Sequence, residues 1–204
     1  MALKDELARE LLEIKAVQIN PDNYFTWTSG IQSPIYCDNR LTMSYPKIRA
    51  KISEAFAEKI ASMDMKPDVI AGCATAGIPH AAWLADRLDL PMVYVRSKPK
   101  GHGKGNQIEG HITEGKKVLV IEDLISTGGS AIASAKALQT QGAEVLSIFA
   151  IFTYGLKKAE QQFANAQLPF ETITNFDELV EALVEEGKLN SNEKNKLFDW
   201  RDSL

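Results

Sequence analysis

The sequence predicts an α/β fold: a doubly wound, mainly parallel sheet flanked by helices, with a small N-terminal cap, or hood, beside it. Three observations carry this. Strand-like and helix-like stretches alternate over residues 66–175. Several of the strand-like stretches, such as "VLVI" at 118–121 and "IFAIF" at 148–152, are near-continuous apolar runs, the pattern of strands covered on both faces. The first 45 residues do not keep this rhythm. One unit over 1–204 is expected, with the hood at 1–45, the α/β core at 66–175 and C-terminal helices at 176–204.

Each element has its own signal. Leu3, Leu7, Leu11, Ile14 and Val17 recur at helical spacing and predict a helix over 3–17. "NYFTWTSGIQSPIYCDN" is aromatic and β-prone, and its Ser29-Gly30 and Ser33-Pro34 breaks divide it into two short strands joined by turns. Pro46 opens a second helix with Ile48, Ile52, Phe56 and Ile60 on one face. Within the core, "PDVIAGCATAG" reads as a strand ending in small residues, "IPHAAWLADRL" as a helix and "PMVYVRS" as a strand. Residues 98–116 read as a structureless, glycine-rich insert. "KKVLVIED" is a strand that ends at its two acids, followed by a helix over 129–141. "AEVLSIFAIFTYG" is the next strand and 157–166 the next helix. Phe176, Leu179, Val180, Leu183 and Val184 mark a tail helix, and Leu197 with Trp200 a last short one.

Composition excludes several classes of function. The chain has 204 residues, 45% apolar and 25% charged, with a net charge of −4. An acidic balance gives no global attraction to nucleic acid or anionic lipid, so neither is expected as a partner, and any anion site must be built locally. Two distant cysteines, Cys37 and Cys73, argue against a disulfide framework or a zinc site. No run approaches the roughly 18 apolar residues of a membrane span. The opening "MALKDELARELLEIKAV" lacks the apolar centre of a signal peptide. A reduced, cytoplasmic setting is expected.

The most informative stretch is "VLVIEDLISTGGSA" at 118–131. Glu122 and Asp123 stand where a strand meets a turn, and ligands of open α/β sheets lie beyond such ends. The turn, Ser126-Thr127-Gly128-Gly129-Ser130, enters a helix whose unpaired N–H groups favour an anion. Acids want hydroxyl donors or a metal, and the turn wants an oxyanion. A sugar phosphate offers both, with ribose hydroxyls for the acids and a 5-phosphate for the turn. Solvated capping residues are the plain alternative. The spacing is neither a P-loop nor a GxGxxG turn.

A second stretch holds Arg96, Lys98, Lys100, His102 and Lys104 without an acid, made mobile by Gly101, Gly103 and Gly105. It reads as a basic lid over a polyanion, or else as a solvated surface loop. His102 lies between glycines with no core to pack into. His80, beside Pro79 in a helix, and His111 are expected to be structural.

"VLVIEDLISTGGSA" resembles the phosphoribosyl-pyrophosphate motif of the type I phosphoribosyltransferases, and "RSKPKGHGKG" resembles the catalytic loop of the orotate phosphoribosyltransferase family. "FTWTSGIQSPIYCDNR" at 25–40 is similar to that family's N-terminal signature, and "GCATAGIPHA" at 72–81 to its pyrophosphate loop. The resemblance spans essentially the whole chain. It implies transfer of the 5-phosphoribosyl group from 5-phosphoribosyl 1-diphosphate to orotate in pyrimidine synthesis. It further implies Mg²⁺ held mainly through substrate, and a homodimer whose lid loop reaches the neighbouring site. By that resemblance Arg96, Lys100, His102 and Asp123 are the catalytic candidates. Arg96, Lys100 and His102 are also implied to bind the sugar diphosphate, together with Glu122, Asp123, Leu124, Ile125, Ser126, Thr127, Gly128, Gly129 and Ser130 and with Thr75, Ala76 and Gly77. Tyr36, Cys37 and Ser126 bind orotate; no protein metal ligand is implied. Thr28, Ala76, Ser97 and Tyr154 stand where relatives often carry cations.

Two rivals remain at this point: a purine phosphoribosyltransferase on the same core, and a regulator that binds the sugar diphosphate as an effector. The 25–40 segment argues against the first. The acidic charge and the lid argue against the second.

Overall fold

The computed structural model describes residues 3–27, 30–98 and 107–204. Helix α1 (Leu3–Glu13) buries Leu7, Ala8 and Leu11. It is shorter than the apolar spacing predicted. Lys15 takes a positive φ of 59° and turns the chain, so Val17 opens strand β1 (Val17–Ile19) instead of closing the helix. Val17 is buried in the strand, as it would be on the helix, so its position in the apolar pattern did not distinguish the two.

The aromatic segment forms three short strands, not two: β2 (Phe25–Thr26), β3 (Gln32–Ser33) and β4 (Ile35–Cys37). β2 and β3 form an antiparallel pair, and β4 runs antiparallel to β1. A 3-10 turn (Asn39–Ser44) follows, capped by the Asp38 side chain, which accepts the Arg40 N–H. Pro46, whose fixed φ suits a first helical turn, then starts α2 (Pro46–Ser62), with Ile48, Ile52, Phe56 and Ile60 buried.

The core follows as β5 (Val69–Cys73), α3 (Gly77–Leu88), β6 (Met92–Val95), β7 (Ile108–Glu109), β8 (Lys117–Ile125), α4 (Gly129–Thr140), β9 (Glu144–Thr153), α5 (Lys157–Ala166) and β10 (Phe170–Asn175). Two tail helices complete it, α6 (Phe176–Glu185) and α7 (Ser191–Asp202), each N-capped by an asparagine, Asn175 and Asn190. The sheet order is β10-β9-β8-β5-β6-β7, and every pairing is parallel except β6 with β7.

Period-two alternation explains the unbroken apolar runs. Along β8, Leu119 and Ile121 pack on one face with α1, α2, α6 and α7, while Val118 and Val120 pack on the other with α4 and α5. Fully burying a side chain of this kind contributes about 1.5–3 kcal/mol, so each such strand is held from both sides. One expectation fails in the 98–116 insert. Residues 108–109 form a strand: β7 pairs Glu109 with Tyr94 and Ile108 with Val95. Buried Ile108 supplies the hydrophobic anchor; a two-residue strand is too short to show a period.

Candidate active site

β5 and β8 are neighbours, yet their chains leave in opposite directions, through α3 to β6 and through α4 to β9. A crevice therefore opens at their carboxyl ends, the topological switch point where α/β sheets bind ligands. Both helices begin there without a side-chain cap, at Ala76 and at Gly128. In α4 the N–H groups of the first turn are left for an anion; in α3 the Ile78 N–H already donates to the Thr75 carbonyl at 3.3 Å and Pro79 has none, which leaves the Gly77 N–H. A Cβ on Gly77 would lie 2.4 Å from the Ile121 carbonyl oxygen, so the 74–77 turn presses directly on β8 beside the acids. The Ala74–Thr75 peptide is cis. Gly128 has a φ of +84°, and a Cβ there would meet Phe163 at 2.6 Å. A Cβ on Gly129 would meet only the Gln162 Oε1, at 4.0 Å, and Gly129 and Ser130 are exposed. Ser126 and Thr127 are half-buried, Thr75 is exposed and Ala76 half-buried.

The acids do not end their strand. β8 continues to Ile125 because β9 is long enough to pair with it: Glu122 faces Ala150, Leu124 faces Phe152 and Ile125 faces Thr153. Ile125 turns its buried side chain into the core, and its carbonyl accepts from the Thr153 hydroxyl at 2.9 Å and the Tyr154 N–H at 3.3 Å. Glu122 is only 6% exposed. Its Oε1 accepts the Asp123 N–H at 3.0 Å and its Oε2 accepts the Ser130 hydroxyl at 3.2 Å. The Asn39 side chain donates to the Asp123 carbonyl at 2.7 Å. Burial first, and then the hydrogen bond and charge interaction with Asp123, push the Glu122 carboxyl up to about 8. Asp123 is raised too, by burial. Solvated capping acids do not behave like this; desolvation of Glu122 and, less completely, of half-buried Asp123 does.

Beside the acids lies a cavity of about 300 Å³ lined by Thr26, Trp27, Tyr36, Cys37, Leu124, Ser126 and Tyr154. Trp27 stacks on Tyr154, ring centres 4.8 Å apart and 29° from parallel. Burial raises the Cys37 thiol and the Tyr154 phenol, so both keep their protons. Tyr36, half out in solvent, forms the rim. Tyr36, Cys37 and Ser126 thus share one cavity. Thr26 and Trp27 were not singled out from the sequence, although the aromatic run "FTW" at 25–27 that contains them was the available signal.

Arg96 roots the basic segment at the same crevice. It follows Val95, whose carbonyl accepts the Ala74 N–H at 2.9 Å, and its own backbone N–H and C=O pair with Gln107. Its guanidinium lies 3.8 Å from Glu109. Lys100 and His102, and Thr28 of the base segment, lie outside the described residues. His80 is buried, 3.4 Å from the Thr42 hydroxyl, with its pKa drawn down to about 4 by burial, so it is neutral and packed in the core. Among the described residues no group of three or more His, Cys, Asp or Glu stands together, and no helix is long and apolar enough to cross a membrane.

Residues 43–178 match the family described as phosphoribosyl transferase domain. The chain is 63% identical to an orotate phosphoribosyltransferase of Oceanobacillus iheyensis over 202 residues, covering 99% of this chain and all of that one. Among solved structures, orotate phosphoribosyltransferase from Aeropyrum pernix superposes with a TM-score of 0.76 at 28% identity, over 90% of this chain and 99% of that one. Leishmania donovani UMP synthase superposes with a TM-score of 0.80 at 26% identity; the match covers 98% of this chain but 42% of that longer one.

Proposed function

The chain belongs to the phosphoribosyl transferase family, among the orotate phosphoribosyltransferases, and from that membership we infer how its crevice works. The reaction is transfer of the 5-phosphoribosyl group from 5-phospho-α-D-ribose 1-diphosphate to orotate, giving orotidine 5′-phosphate and diphosphate in pyrimidine biosynthesis. The observation that supports the assignment of residues is convergence. The acid pair of buried Glu122 and half-buried Asp123, two helix N-termini without side-chain caps and an aromatic-walled cavity meet at one crevice.

In this reading the 5-phosphate lies on Ser126–Ser130, and Glu122 and Asp123 accept the ribose hydroxyls. The diphosphate meets the N–H groups of Thr75, Ala76 and Gly77, and the pyrimidine enters the cavity beside Tyr36, Cys37 and Ser126. No covalent nucleophile is needed. The C1–O bond to diphosphate breaks, the C1–N1 bond to orotate forms as N1 gives up its proton, and the protein positions the partners and places charge. The acids also face the positive charge that develops on the ribose. Arg96, Lys100 and His102 close on the departing diphosphate, where negative charge accumulates in the transition state, and closure keeps water from the sugar cation. His102 passes a proton to the leaving group.

Mg²⁺ is the proposed cofactor. Glu122 and Asp123 are the adjacent carboxylates that the crevice offers, and they would help to hold an ion brought in mainly by the substrate. Bound there, it supplies charge neutralisation on the diphosphate. A homodimer in which each lid completes the neighbour's site, in the cytoplasm, completes the proposal. A product assay with Mg²⁺ and the sugar diphosphate tests it, offering orotate, adenine, hypoxanthine and xanthine in turn. Orotidine 5′-phosphate alone is expected; a purine nucleotide as the main product would overturn it.

A further inference from the structure

We infer that the C-terminal helix is part of the base site: Trp200 is a positioning residue that holds Trp27, and through it Tyr154, as the wall against which the pyrimidine lies. The inference rests on the orotate reading above and adds to it a residue 168 positions from the strand it touches.

The β2–β3 hairpin that carries Trp27 has only two residue pairs, Phe25 with Ser33 and Thr26 with Gln32. A ribbon so short does not hold its own shape in water. It needs a brace from outside, and α7 provides one. The Trp200 indole N–H donates to the Gln32 carbonyl at 3.1 Å, fastening the hairpin to the helix. The Trp200 ring meets Trp27 edge-on, centres 5.9 Å apart and planes at 88°. Trp27 is fixed from two further directions, by its own N–H bond to the Ile35 carbonyl at 2.9 Å and by stacking on Tyr154. Behind Trp200 stands Phe176, 6.2 Å away, and α7 itself is pinned by buried Leu197.

Both rings of the stacked pair line the base cavity. Edge-to-face and stacked contacts each fix orientation as well as contributing energy. Loss of the brace therefore loosens the wall seen by the base, while the acid pair and the phosphate turn, which belong to β8 and α4, stay in place.

Steady-state KM values for orotate and for the sugar diphosphate test this in Trp200→Leu and Trp200→Phe. Trp200→Leu should raise the orotate KM about five- to tenfold and leave the other KM within about twofold. Trp200→Phe, which keeps a ring against Trp27 but loses the bond to Gln32, should show a smaller rise. With Trp27→Leu already present, adding Trp200→Leu should change the orotate KM no further. Equal rises in both KM values, or additive effects in the double variant, would overturn the inference. A readout without any change at Trp200 keeps it testable if Trp200→Leu does not fold. In Trp83→Phe, which leaves Trp27 and Trp200 as the only tryptophans, orotate should change the indole emission, and an unchanged emission on saturation also overturns it. An unaltered protein that does not consume orotate would instead be a failure of the functional reading, which keeps the two failures apart.

Discussion

The Asn39 side-chain N–H donates to the Asp123 backbone carbonyl across 2.7 Å, tying the hood to the acid pair 84 positions further along the chain. Asn39 is fully buried, and its neighbour Thr42 donates back to the Asn39 carbonyl at 2.6 Å. Asn39→Ala would leave the Asp123 carbonyl without this donor, at a cost of about 2 kcal/mol, or about 4–8 °C in Tm for a domain of this size. The KM for the sugar diphosphate should rise more than that for orotate, because the backbone that moves carries the carboxylate proposed to accept the ribose hydroxyls. A thermal melt with paired KM measurements checks this, and an unchanged melting temperature would remove Asn39 from the support of the site.

Glu122 makes stability depend on pH in a direction unlike that of an ordinary surface acid. Burial raises its carboxyl from 4.5 to about 8, so the folded chain keeps a proton that the unfolded chain has released. This contribution to stability is complete below about 4.5 and is lost as pH climbs through about 8. Glu122→Gln keeps the shape and removes the titration. The variant should match the parent near pH 4 and exceed it in urea midpoint at pH 8, while losing affinity for the sugar diphosphate, a trade of stability against function. A parent-minus-variant difference that does not change with pH would show that Glu122 is charged in the free protein.

These two residues also show what the sequence could and could not disclose. The acid pair, the small-residue turn and the helix after them are adjacent in the chain, so their chemistry was readable as a word. Helix α2 was readable because one buried face imposes a period on Ile48, Ile52, Phe56 and Ile60. Val17 was misplaced because an apolar residue three positions after another, as Val17 is after Ile14, serves a helix or the strand that follows it. β7 was missed because two residues carry no period. The Asn39–Asp123 bond and the Trp200–Trp27 contact leave no local trace at all, since each joins distant segments through one side chain. Lys100 and His102, read from the basic loop, lie outside the described residues, and their roles rest on the family pattern.

Gly77 tests the closeness of the 74–77 turn to β8. An added Cβ would lie 2.4 Å from the Ile121 carbonyl oxygen and 3.2 Å from the Glu122 Cα. Both atoms are backbone, so no side chain can rotate away. Gly77→Ala should cost about 3 kcal/mol and should raise the KM for the sugar diphosphate by pushing the uncapped helix N-terminus off the crevice. Chemical denaturation and initial rates measure the two effects. A variant as stable and as active as the parent would mean that the turn does not sit against β8 in solution.

The basic loop is proposed to act on the departing diphosphate, so its lysine should matter in the transition state more than in the ground state. Lys100→Ala should lower kcat by about 10²–10³-fold with little change in orotate binding, because charge builds on the diphosphate only as the C1–O bond breaks. A shared site makes a further demand. If each loop serves the neighbouring crevice, a dimer of one Lys100→Ala chain and one Asp123→Asn chain contains one crevice with both defects and one with neither. Mixing the two inactive proteins, with subunit exchange verified, should therefore restore activity up to about half of the parent dimer's at complete pairing, as follows from counting intact crevices. Self-contained sites would leave every crevice in that mixed dimer with one defect and no recovery, so the mixture separates the two arrangements by the presence or absence of turnover.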